Sequence, residues 1–129
     1  MMWPEKYVGV PFVDGGRTIE GLDCWGLVCL IYAEQLGVDL PSYGDVSARD
    51  LLAIARAIEG GREPWQPVDK PQAFDVVSMR FYNRSWVGHV GVMVDGTQMI
   101  HTEETIAAAI IPVSHYTVRD RISGYWRLA

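Results

Sequence analysis

Apolar residues follow two patterns along this chain. Between Asp23 and Gly37 they run almost without a break, through Cys24, Trp25, Leu27, Val28, Cys29, Leu30, Ile31, Tyr32 and Ala33. A helix apolar nearly all round is a buried one. Asp23 is a good N-cap and Gly37 a good stop, so the pattern predicts a central helix from Cys24 to Leu36. A second helix is expected from Ser47-Ala48-Arg49-Asp50, a capping-box-like start, with Leu51, Leu52, Ile54, Ala55 and Ile58 on one face before Gly60-Gly61. Beyond the proline-rich stretch from Pro64 to Pro71 the segments shorten. Phe74 to Phe81, Gly88 to Val94, Gln98 to Thr102, Ile106 to Val113 and Ser123 to Leu128 read as strands, with Asp95-Gly96 as a hairpin signal. Helices first and strands after, without βαβ alternation, predict an α+β fold with an antiparallel sheet. The turn-rich start, through Gly21, reads as an ordered loop leading into the first helix.

Composition narrows the class. At 129 residues, with 49% apolar and 21% charged, the chain is expected to form a single domain spanning 1–129. Eleven basic against sixteen acidic residues give −5, and no Lys/Arg run offers a footprint for nucleic acid. Neither a membrane span nor a signal peptide is evident, so a product made soluble in the cytoplasm is expected.

Candidate chemistry centres on Cys24. The two cysteines, Cys24 and Cys29, are five residues apart on a helix, about 140° of rotation, so they point apart and do not pair. Cys24 follows the cap directly, where free N–H groups and the positive end of the helix favour a thiolate and could bind an oxyanion. A buried core cysteine is the plainer explanation of Cys24 alone, and for mid-helix Cys29 it suffices. His89 opens a strand whose other face carries valines, and Gly91 beside it leaves room for a helix to approach. His101, across the hairpin, could orient the His89 ring. His115 reads as a surface residue and Asp75 as a solvated strand start. The tryptophans Trp3, Trp65, Trp86 and Trp126 are scattered, as packing residues or groove walls. Cys24, Cys29, His89 and His101 lack zinc-ligand spacing, and no metal or cofactor is expected.

Taken together, Gly15-Gly16, Asp23-Cys24-Trp25-Gly26-Leu27-Val28, Phe74-Asp75-Val76-Val77, Gly88-His89-Val90-Gly91-Val92 and Ile100-His101-Thr102 resemble the NlpC family of cell-wall cysteine peptidases. The Pro11 start and the wording around Cys24 are similar to small members encoded among bacteriophage tail genes. The resemblance implies a papain-like fold, with the cysteine heading a helix packed on an antiparallel sheet. It also implies hydrolysis of peptidoglycan stem peptides between D-glutamate and a diamino acid. By position Cys24 would be nucleophile, His89 general base and acid, and His101 the orienting third residue. Phe12, Asp23 and Trp25 would line the substrate site. Phe12 and Trp25 stand where the family commonly has tyrosine and serine, groups that with the aspartate help bind a free amino end in some members. The implied setting is a phage tail tip, with tail-tip proteins and peptidoglycan as partners. A structural tail subunit that keeps the fold without useful turnover is the alternative, and an amidase a third.

Such a triad requires both histidines on one face of the hairpin. A flush Asp95-Gly96 turn would pair Val90 with His101 and separate them. A three-residue loop, with Gly96 left-handed beside a bulge, is therefore expected.

Overall fold

The computed structural model describes residues 3–40, 65–80, 87–104 and 106–128. The helix expected around residues 47–58, Phe81 and Trp86 lie outside them. A short 3-10 turn (Trp3–Lys6) leads to a small hairpin of β1 (Arg17–Thr18) and β2 (Gly21–Leu22), then to α1 (Cys24–Ile31). The last turn, Tyr32–Leu36, widens to π geometry and closes on Gly37 at φ 65°, a left-handed stop that glycine adopts without strain. The helix thus occupies the predicted span.

Six strands follow: β3 (Trp65–Val68), β4 (Val76–Arg80), β5 (Val87–Met93), β6 (Gln98–Glu103), β7 (Ile106–Pro112) and β8 (Ile122–Leu128). They form one antiparallel sheet in the order β3-β8-β4-β5-β6-β7. The chain therefore has the α+β architecture expected, with a helix on an antiparallel sheet. Two strand features depart from expectation. β3 was hidden by Pro67, which an edge strand tolerates because one side needs no ladder donor. β4 starts two residues late because Phe74 sits at φ 74°, outside the extended region.

Period-two alternation sorts the strand residues onto two faces. Val76, Val90, Val92 and Ile100 pack with Leu27, Val28 and Ile31 of α1, while Val77, Met79, Met93, Met99 and Val118 form a second cluster. The helix therefore lies on the valine face of β5, not on the Gly91 face as the sequence implied. A Cβ on Gly91 would sit 3.1 Å from the His101 Cβ and 3.0 Å from the Ile100 carbonyl oxygen. That glycine makes room for a histidine on the next strand.

The hairpin has the odd-length loop. Val92 pairs with Ile100 and Met93 with Met99, and the Val94 N–H bonds to the Gln98 carbonyl at 2.8 Å. Its closure differs from the expectation, since Gly96 is not left-handed. Asp95 Oδ1 instead accepts from the N–H groups of Thr97 at 2.8 Å and Gln98 at 2.9 Å, a turn made by a side chain.

Candidate active site

The first turn of α1 is built around Asp23. Its Oδ1 accepts from Gly26 N–H at 2.7 Å and from Arg17 Nη1 at 2.8 Å, and its Oδ2 accepts from Gly15 N–H at 3.0 Å. Gly26 is part of this device, because a Cβ there would lie 2.0 Å from the Gly16 carbonyl oxygen. The β1 segment therefore presses on the helix and delivers Arg17 to the buried carboxylate. Cys24 follows, with its sulfur approached by the N–H groups of Val90 and Trp25. The β5–β6 ladder stops at Val92 and Ile100, so the Val90 amide beyond it is placed to serve the thiol.

The sulfur thus lies against the residue next to His89. A register shift between Met79 and Arg80 leaves Gly88 as an extra residue beside that histidine, and bulges re-aim neighbouring side chains. His89 Nε2 is 3.0 Å from His101 Nδ1, with the two rings edge to face at 5.2 Å. With Nε2 engaged there, Nδ1 is the ring nitrogen that His101 leaves open. Glu103 completes the cluster, its Oε1 being 3.3 Å from His89 Nε2 and 2.7 Å from Arg121 Nη2. The Arg121 contact is close but not aligned as a hydrogen bond, and Oε1 is shielded from water.

Burial works against the thiolate expected from the helix end. Burial pushes the Cys24 thiol up to about 12, partly offset by the Val90 N–H. Burial does the same to Cys29. A helix N-terminus offers at most about 2 kcal/mol to an anion, whereas desolvating an ion costs several. Burial, then His101 and Arg121, hold His89 well below the usual histidine range, and burial lowers His101 despite the opposing Glu103. Burial thus disfavours the charged forms of the thiol and of both imidazoles.

Of the other candidates, Trp25 is 2% exposed and packs in the core. Phe12 is half-buried and bridges to Leu22, one residue before Asp23. Asp75 is not solvated as expected: it is buried and held by Arg127 through bonds of 2.9 and 2.8 Å. His115 is partly exposed and bonds Thr117. His89, His101 and Glu103 bring three donor atoms within 4.8 Å, a set a divalent cation could use. Arg121 already supplies positive charge to that carboxylate, and the two ring nitrogens face each other, so the cluster is matched internally.

The family model described as NlpC/P60 matches residues 9–127. This chain belongs to the NlpC/P60 family. It is 28% identical over 127 residues to the gamma-DL-glutamyl hydrolase of Bacillus subtilis (strain 168), covering 95% of this chain but 27% of that protein. Two solved structures share the fold. The NlpC/p60 domain of the peptidoglycan hydrolase SagA aligns at TM-score 0.66 with 19% identity, over 97% of this chain and 92% of that one. A family protein from Bacillus cereus ATCC 10987 aligns at 0.70 with 22% identity, over 96% and 37%.

Proposed function

We propose that this NlpC/P60 domain cleaves peptidoglycan stem peptides at a D-glutamyl bond to a diamino acid, with Cys24, His89 and His101 as its catalytic set. The observation that carries this is the placement of the Cys24 sulfur on the Val90 N–H, beside a histidine whose Nε2 faces a second histidine at 3.0 Å. The Bacillus subtilis relative is named for hydrolysis at glutamyl bonds, which supports the bond class.

In this reaction the sulfur attacks the glutamyl carbonyl carbon as His89 Nδ1 takes the thiol proton. Gly26 N–H is committed to Asp23 and Trp25 N–H to the sulfur, which leaves the Cys24 N–H to meet the oxyanion. His89 returns the proton to the leaving amine as the C–N bond breaks, giving a thioester. Water then attacks that carbonyl, His89 takes its proton, and the C–S bond breaks to restore the thiol.

Two further readings belong to the proposal. The wording around Cys24 supports a role in a phage tail tip, hence in the virion, with tail-tip proteins as partners. The site also disfavours a free substrate amine: Phe12 and Trp25 offer no acceptor side chain, and Asp23 is already neutralised by Arg17 at 2.8 Å. A buried ammonium without a partner costs several kcal/mol, so stems with an acylated amino end fit better. Muropeptides with a free or blocked L-alanine amine, digested with wild type and Cys24→Ala and analysed by mass spectrometry, test both points. The expected result is cleavage at the glutamyl bond, blocked substrate preferred, and none by Cys24→Ala. A preference for the free amine would overturn the specificity, and no cleavage of either would favour the structural subunit.

A further inference from the structure

Glu103 takes no part in the reaction just described. Glu103 ends β6, two residues beyond His101, and its carboxylate reaches the His89 ring. Its Oε1 lies 3.3 Å from His89 Nε2 and 3.9 Å from His101 Nδ1. Such an oxygen, shielded from water, requires a counter-charge, and Arg121 provides one from the turn before β8. Arg121 is itself fixed, since its Nε donates to the Arg80 carbonyl at 3.0 Å.

We propose that Glu103, held by Arg121, is a positioning residue for His89: its carboxylate keeps the ring hydrogen on Nε2 and steadies the imidazolium present while His89 carries the Cys24 proton. This rests on the Cys24–His89 reading above. A base that takes a proton on Nδ1 must carry its own hydrogen on Nε2. His101 accepts that hydrogen at rest, but a neutral imidazole gains less than a carboxylate when the ring becomes charged. Arg121 opposes the carboxylate, so the base stays neutral until the thiol proton arrives. Among the described residues, the titratable and charged groups near the His89 ring are His101 and Glu103 from β6 and Arg121 before β8, with the Cys24 sulfur on the adjacent Val90 N–H, while its partner on β4 is apolar Met79.

The test begins with the Cys24→Ala protein, in which imidazole titrations are read by nitrogen NMR. Glu103→Gln removes an anion and should move the His89 titration down by about one pH unit, whereas Arg121→Met removes a cation and should move it up. With Cys24 restored, the acid limb of kcat/KM should move in the same directions. Glu103→Gln should lower kcat with little change in KM, and Glu103→Asp should recover part of the loss. A His89 titration unmoved by Glu103→Gln, or moved the same way by both variants, overturns the proposal. If Arg121→Met does not fold, the near-isosteric Glu103→Gln decides alone. Opposite NMR shifts in a protein that cleaves no muropeptide would uphold the Glu103 coupling and count against the peptidase reading only.

Discussion

Two acidic side chains flank the candidate site, each ion-paired with an arginine, and they are built differently. Asp23 is completely buried, and both its oxygens accept aligned hydrogen bonds from Gly26, Gly15 and Arg17. Glu103 keeps a quarter of its side chain exposed, and its Oε1 touches Arg121 and His89 without an aligned hydrogen bond. The first arrangement is saturated and locks the helix end that carries the sulfur. The second is unsaturated and leaves a negative charge free to respond to a proton on His89. Fully satisfied buried polar networks rigidify a structure.

Removing Asp23 should therefore have the larger effect on stability. Asp23→Ala breaks the Arg17 ion pair and removes the helix cap, an expected loss of about 3–5 kcal/mol for a broken buried pair. Asp23→Asn keeps an acceptor for Gly26 and should cost less. Denaturant midpoints of the two variants check this, and equal costs would mean that the charge rather than the cap matters. The difference from Glu103→Gln, which should leave stability nearly unchanged, would sharpen the contrast between the two carboxylates.

A smaller effect is expected at Gly91. Gly91→Ala places a methyl group 3.1 Å from the His101 Cβ, an overpacking cost of about 1–3 kcal/mol. It should also push the His101 ring off His89, so activity should fall more than stability accounts for. Unaltered activity in a well-folded Gly91→Ala protein would show that the spacing of the two rings is not critical.

Much of this arrangement is written locally. The cap, the apolar run and Gly37 define α1 because each acts within a few residues, and the requirement that both histidines share a face selected the three-residue loop. Glu103 escaped notice because the motif ends at His101. Arg17 and Arg121 could not be read from pattern, as each reaches its carboxylate through chain folding rather than strand or helix period. The opposing effect of burial on the thiol was not legible for a related reason: position at a helix end is local, but burial is a property of everything packed around it. Asp75 repeats that lesson, a strand-start aspartate whose partner, Arg127, lies 52 residues away.

The central claim is that Cys24 becomes acylated by the glutamyl half of a stem peptide. It is tested most directly by acid-quenching the protein during turnover and mapping the covalent adduct by mass spectrometry. The predicted result is a thioester on Cys24 carrying the D-glutamyl acyl group, absent in Cys24→Ala and slowed in His89→Ala by about 10²- to 10⁴-fold, the range for loss of a general base. An adduct on Cys29, or product released by Cys24→Ala at the wild-type rate, would contradict it.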